Sequence, residues 1–120
     1  PSVIGIANIM LANNICDMED DIENKRYTLP IYIGKNTSLM IFKILYYICY
    51  ILLIIMLALR VIPWISAITL ITFFIVSKNI KMFYEKQTKK DTFVVAVKNF
   101  VIINSVLAFT LAVEVVIKHL

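Results

Sequence analysis

The sequence predicts an all-α fold, a polytopic transmembrane helical bundle made of the end of one helix and three complete spans. Of the 120 residues, 61% are hydrophobic and only two are glycine, which leaves too little polar surface to cover a water-soluble globule. The apolar residues also form runs of about 20 helical residues, the length that crosses a hydrocarbon core. We therefore predict that a lipid bilayer surrounds this chain, and we treat residues 1–120 as one domain.

The first element is an apolar stretch, residues 2–12, which is too short to cross a bilayer. The chain begins with Pro1 and lacks the charged region and the small-residue cleavage site of a signal peptide. We interpret the stretch as the end of a helix whose beginning is missing. The sequence is accordingly expected to be the C-terminal fragment of a longer protein.

A polar segment, residues 13–37, follows this helix end. Its charged side chains exclude it from lipid unless they find partners there. These side chains are Asp17, Glu19, Asp20, Asp21, Glu23, Lys25, Arg26 and Lys35. The segment is therefore predicted to lie outside the bilayer.

Three spans are predicted after the polar segment. The first, residues 39–59, is apolar apart from Lys43, which lies near one end and can extend its ammonium group towards water. The second span is predicted at residues 62–76 and the third at residues 93–117. Between these two, residues 77–91 are predicted to form a solvated lysine-rich loop that begins with one or two helical turns.

Basic residues are distributed unequally between the two sides of the predicted bundle. One side carries the basic residues of the polar segment and of the lysine-rich loop, whereas the other carries only Arg60 and Lys118. Because positive residues mark the cytoplasmic side, we predict a multi-pass protein of the cell membrane with both connections facing the cytoplasm. Nucleic acid is excluded as a partner despite the net charge of +4, because the apolar runs leave no soluble face.

A stripe of polar residues recurs every fourth position in the polar segment: Asn13, Asp17, Asp21 and Lys25. If the preceding helix continues, these side chains follow one face of it. Two carboxylates on one face repel each other unless a cation bridges them, and Mg²⁺ takes one or two carboxylates together with water and substrate phosphate. The stripe therefore predicts a magnesium-assisted diphosphate site at the membrane surface, with Asp17 and Asp21 as the metal ligands.

Basic side chains next to the stripe suit the same ligand. Lys25 and Arg26 are positioned to bind phosphate oxygens. The lysine would act as a point charge, and the arginine would donate two parallel hydrogen bonds. The other acidic residues, Glu19, Asp20 and Glu23, are interpreted as a solvated helix face. Among these three, Asp20 is the nearest candidate to replace Asp21 as a metal ligand.

The residues from Asn13 to Gly34 resemble the second aspartate-rich motif of the UbiA-type prenyltransferases. The resemblance rests on the string NNICDMEDD, from Asn13, and on ENKRYTLP with the Ile33-Gly34 pair further on. Within that family the likeness is closest to the 1,4-dihydroxy-2-naphthoate polyprenyltransferases of menaquinone synthesis. The chain departs from that pattern at Cys16, where an arginine is usual, and at Asn24, where a glycine is usual.

The resemblance implies a UbiA-like fold and a magnesium-dependent transfer of a prenyl group from an allylic polyprenyl diphosphate to an aromatic acceptor. It implies that Asp17 and Asp21 are catalytic and bind Mg²⁺, and that Asn13, Lys25 and Arg26 bind the diphosphate. It also implies a missing N-terminal helical half that carries a first aspartate-rich motif. The chain alone is therefore expected to be inactive.

Two alternatives remain open at the level of the sequence. A small non-catalytic membrane subunit, or a piece of a transporter, would explain the short apolar chain equally well. Within the prenyltransferase family, the acceptor would alternatively be 4-hydroxybenzoate or haem instead of 1,4-dihydroxy-2-naphthoate.

Overall fold

The computed structural model describes all of residues 1–120, and every regular element in it is helical. The elements are α1 (Ser2–Cys16), α2 (Met18–Glu23), α3 (Leu29–Ile33), α4 (Lys35–Ala58), a 3-10 segment (Trp64–Ile71), α5 (Thr72–Glu85) and α6 (Phe93–His119). The prediction of an all-α fold is confirmed.

Three helical stretches are long and apolar enough to cross a membrane: Lys35–Ala58, Trp64–Glu85 and Phe93–His119. The predicted end of the second span, residue 76, differs from the structure, because the helix continues to Glu85. It continues because Val76, Ile80 and Phe83 recur at helical spacing and are all buried against the bundle. The helical turns predicted at the start of the lysine-rich segment are thus the last turns of α5, and residues 86–92 connect α5 to α6.

The core lies between α1, α4, α5 and α6. In α4 the buried face carries Phe42, Tyr46, Cys49 and Leu53 at helical spacing, and the ring of Phe42 lies 4.7 Å from that of Phe83 in α5. Many large apolar side chains remain exposed on the outer faces, as expected when lipid surrounds a bundle. The core therefore joins the helices while the outer surface suits hydrocarbon.

Polar side chains are turned into the bundle, where they join helices that are distant in the sequence. The hydroxyls of Ser66 and Thr110 lie 3.0 Å apart and connect the 3-10 segment to α6. The Asn79 amide donates to Asn99 Oδ1 at 2.7 Å, which connects α5 to α6. Such bonds between spans are favoured in lipid because exposed polar groups find no water there.

The connectivity places both polar connections at one end of the bundle. Helix α1 ends at this end, α4 begins there, α5 ends there and α6 begins there, because successive spans run in opposite directions. The two short helices α2 and α3 lie between α1 and α4. The acidic part of the polar segment, residues 13–23 (the acidic segment), and the 86–92 loop are therefore neighbours in space.

Gly5 allows α1 and α6 to approach closely, and replacing it by alanine is expected to destabilise the protein. A Cβ atom at this position would lie 2.6 Å from Cδ2 of Phe100, so the phenylalanine ring would have to move. Overpacking of this kind costs about 1–3 kcal/mol, which thermal unfolding in detergent would measure. The double variant Gly5→Ala with Phe100→Leu should regain part of that loss, and equal stability of the single variant and the wild type would contradict the close approach.

Candidate functional site

The acidic segment is built where α1 passes into α2. The helix is interrupted at Asp17, whose backbone has φ −95° and ψ 6°. The hydrogen bonds of a helical turn nevertheless persist on both sides of it: the Asp17 N–H donates to the Asn13 carbonyl at 3.0 Å, and the Asp21 N–H donates to the Asp17 carbonyl at 2.8 Å. The two aspartates predicted as metal ligands are therefore one helical turn apart.

The predicted stripe ends before Lys25, because α2 stops at Glu23. Lys25 has a φ of 55°, a left-handed conformation that reverses the chain at a helix end. The Arg26 N–H closes this turn by donating to the Asp21 carbonyl at 2.7 Å. The side chains of Lys25 and Arg26 are exposed and form no ion pair, so their binding of phosphate remains a prediction.

Asp17 accepts two hydrogen bonds from side chains on one carboxylate oxygen. Asn13 Nδ2 donates to Asp17 Oδ2 at 3.2 Å, and Lys89 Nζ donates to the same oxygen at 2.6 Å. Lys89 belongs to the 86–92 loop, so this ion pair attaches the loop to the acidic segment. The hydrogen bond to Asp17 raises the pKa of Lys89, and the charge of Asp21 adds to the effect.

Asp21, unlike Asp17, is buried, and only 7% of its surface is exposed. Thr28 Oγ1 donates to Asp21 Oδ2 at 3.3 Å, which joins α2 to the chain that leads into α3. Its neighbours Glu19 and Asp20 are exposed, as a solvated helix face requires. Burial and the hydrogen bond from Thr28 thus distinguish Asp21 from the exposed carboxylates of α2.

Two residues at this site were not predicted. Thr28 stands inside the string that resembles the family motif, but nothing in the spacing indicates its contact with Asp21. Lys89 was placed in a loop on the same side as the acidic segment, which is the only sequence signal for its approach to Asp17. The pairing of residues so far apart depends on how α1 packs against α6.

Asp17 and Asp21 are the candidate ligands for Mg²⁺ at this site. No group of three or more His, Cys, Asp or Glu side chains lies close enough to hold a metal ion. Asp17 and Asp21 offer oxygen atoms alone, the donors that Mg²⁺ prefers, and Mg²⁺ commonly completes its shell with water and substrate phosphate. The residues therefore fit a magnesium ion that is shared with a phosphate-bearing ligand.

A cleft of about 240 Å³ lies against the acidic segment. It is formed where α1 and α2 meet the beginning of α4 and the 86–92 loop. Its lining residues are Ile15, Cys16, Met18, Glu19, Ile22, Lys35 and Gln87. The lining combines apolar side chains with one acid, Glu19, and one base, Lys35, and it includes neither Asp17 nor Asp21.

Comparison with known proteins identifies the family of the chain. The model of the UbiA prenyltransferase family matches residues 2–113, which include α1 to α5, most of α6 and the whole acidic segment. No curated protein and no solved structure matches the chain. The family match covers nearly all of the chain and agrees with its all-helical, membrane-spanning architecture. The chain belongs to the UbiA prenyltransferase family.

Proposed function

We propose that this chain provides the second aspartate-rich site of an enzyme that transfers a prenyl group from an allylic polyprenyl diphosphate to 1,4-dihydroxy-2-naphthoate in menaquinone biosynthesis. Membership in the prenyltransferase family supports the reaction class. The choice of acceptor rests on the likeness of the Asn13 to Gly34 segment to that subfamily. The observation that carries the proposal is the position of Asp17 and Asp21, one helical turn apart and beside a basic loop.

Each residue of the site has a role in this proposal. Asp17 and Asp21 would hold Mg²⁺, and Asn13 orients the Asp17 carboxylate through its hydrogen bond. When bound, magnesium acts as a Lewis acid on the leaving diphosphate. Lys25 and Arg26 bind phosphate oxygens, since both side chains are exposed and free of other ionic partners.

Lys89 is added to the residues that the sequence indicated. Its ammonium group lies beside the motif and carries a raised pKa, so it stays positive at neutral pH and offers a further donor to a phosphate oxygen. The apolar core of the bundle lies directly beneath this charged end. Such a core excludes water from the reaction. The bond between the allylic carbon and the diphosphate oxygen breaks, and diphosphate leaves with the electron pair. The electron-rich ring forms a bond to that carbon, and a proton or CO2 then leaves the ring, which restores its aromaticity.

The proposal also includes a further helical half with a first aspartate-rich motif, and an orientation of the chain in the membrane. The residues of this chain contain one aspartate-rich motif, and we expect turnover only where a helical half with a first such motif is also present. The excess of basic residues beside the acidic segment supports a cytoplasmic position for both loops.

Removal of magnesium is expected to abolish product formation. Membranes that contain the complete protein would be supplied with farnesyl diphosphate and 1,4-dihydroxy-2-naphthoate, and the prenylated product measured by chromatography. Excess EDTA should reduce the product to background, and added Mg²⁺ should restore it, because the protein alone offers too few ligands to retain the ion without its substrate. An equal rate in EDTA would contradict the proposed chemistry.

The same assay tests the acceptor. If 4-hydroxybenzoate is prenylated and 1,4-dihydroxy-2-naphthoate is not, the acceptor is wrong and the transfer reaction stands. If neither acceptor is prenylated while the protein still binds Mg²⁺ and diphosphate, a non-catalytic role is favoured instead.

A further inference from the structure

A crevice between α4 and α5 lies outside the acidic site and has a polar and an apolar part. The polar part is a cavity of about 290 Å³ near the end of α5. It is lined by Lys43, Tyr47, Ser77, Ile80, Lys81 and Tyr84. None of these residues belongs to the acidic segment or to the 86–92 loop, so the proposed reaction leaves this cavity unexplained.

The polar part of the crevice carries positive charge that no carboxylate of the chain neutralises. Lys43 and Lys81 both line it, and neither takes part in an ion pair. The Lys43 ammonium lies 5.6 Å from the ring centroid of Tyr47 and 6.0 Å from that of Tyr84, within the range of a cation–π contact. Lysines at the level of the headgroups attract anionic lipids.

Ser77 adds an unsatisfied group to the same cavity. Its Oγ atom is buried and has no hydrogen-bond partner in the protein, whereas buried hydroxyls normally have one. Together with the two ammonium groups, the hydroxyl makes a set of donors without an acceptor. An anion with several oxygen atoms, such as a phosphate, would supply acceptors for these three groups.

An apolar cavity of about 300 Å³ continues the crevice along the same two spans, further from the acidic end. It is lined by Tyr50, Ile54, Leu70, Phe73 and Phe74. The rings of Tyr47 and Phe73 lie 6.2 Å apart and connect the two cavities. The crevice as a whole thus presents a basic end at the membrane surface and an apolar end within the membrane.

We propose that this crevice binds one anionic phospholipid, with its phosphate between Lys43 and Lys81 and an acyl chain against Phe73. Basic pockets between transmembrane helices suit anionic lipid headgroups, and tyrosine rings favour the headgroup level of a bilayer. A free phosphate would leave the apolar cavity unused. A prenyl diphosphate would arrive with magnesium, and no carboxylate lines either cavity to share that ion.

The test is native mass spectrometry of the purified protein in detergent during titration with phosphatidylglycerol or phosphatidylcholine. The wild type is expected to prefer phosphatidylglycerol. The double variant Lys43→Gln with Lys81→Gln should bind it about tenfold more weakly, because each lysine near an anionic headgroup contributes to binding. The matched control is Lys78→Gln with Lys98→Gln, which removes the same charge from exposed positions outside the crevice and should bind as the wild type does.

Several outcomes would overturn the proposal. An unchanged affinity in the crevice variant would do so, and so would an equal loss in the control variant, which would indicate general attraction to the positive protein. Replacing the two crevice lysines by arginine should restore binding, since arginine also binds phosphate. Failure of that rescue would contradict a phosphate site.

Competition experiments distinguish the source of the phosphate. Soluble glycerol phosphate should displace bound phosphatidylglycerol poorly, because it gains nothing from the apolar cavity. Equal competition would show that the crevice recognises phosphate alone and would overturn the assignment to a lipid. Displacement by geranyl diphosphate with Mg²⁺ at substrate concentrations would assign the crevice to the prenyl donor instead.

Discussion

Replacing Asp21 by asparagine is expected to lower prenyl transfer in the complete protein by about 10²–10³-fold. Asparagine keeps the size of the side chain and still accepts the hydrogen bond from Thr28, so the fold should persist. It removes the negative charge of one of the two carboxylates that are proposed to bind Mg²⁺. The measurement is the initial rate at saturating farnesyl diphosphate, repeated over a range of Mg²⁺ concentrations.

Asp20 provides the matched control. It is adjacent to Asp21 in the sequence and its side chain is exposed, so Asp20→Asn removes one negative charge without changing a buried residue. Its activity should stay within about twofold of the wild type, as usual for a surface substitution away from special features. Asp17→Asn should lose as much activity as Asp21→Asn. Inactivity of Asp20→Asn together with full activity of Asp21→Asn would show that the neighbouring carboxylate is the ligand and would overturn the assignment.

The number of spans could be predicted because the signal is local. A run of about 20 apolar residues is sufficient to predict a membrane-spanning helix. The three predicted runs correspond to three long apolar helices in the structure. The end of the second span was harder, since lysines at positions 78 and 81 suggested a solvated loop. Val76, Ile80 and Phe83 continue the buried face through that region, and their packing outweighs the local polarity.

The site was predicted less completely, because its contacts depend on tertiary structure. The spacing of Asp17 and Asp21 was correct as one helical turn, since that relation needs only the local backbone. Lys25 leaves the stripe because the chain makes a left-handed turn after α2. Glycine in a sequence often indicates such a turn, whereas lysine does not. Lys89 approaches Asp17 only because the bundle places two distant connections side by side.

The ion pair between Lys89 and Asp17 is expected to persist at neutral pH. The hydrogen bond to Asp17 raises the pKa of Lys89 above its ordinary value. The protonated Lys89 stabilises the folded state. This stabilisation is fully present below the ordinary pKa of a lysine, and it is lost as the pH rises through the higher pKa that Lys89 has in the folded protein. The contact between the 86–92 loop and the acidic segment should therefore persist at neutral pH and weaken in strongly alkaline solution.

Replacing Lys89 by glutamine is expected to change the two ligands of the site in opposite directions. Loss of the ammonium should raise the KM for farnesyl diphosphate about tenfold or more, because a charged donor to phosphate disappears. The concentration of Mg²⁺ at half-maximal rate should fall, because a positive charge no longer lies beside the Asp17 carboxylate. Both quantities come from one set of rate measurements on the complete protein.

Lys90→Gln is the control for this experiment, since it removes the adjacent charge from an exposed residue that forms no ion pair. It should leave both quantities near the wild-type values, and Lys89→Arg should restore the KM through its charged fork. A Lys89→Gln variant that only loses stability would shift neither quantity once the rates are corrected for folded protein. Parallel weakening of Mg²⁺ and diphosphate would contradict the direct role, because removal of a positive charge cannot by itself disfavour a cation at the neighbouring carboxylates.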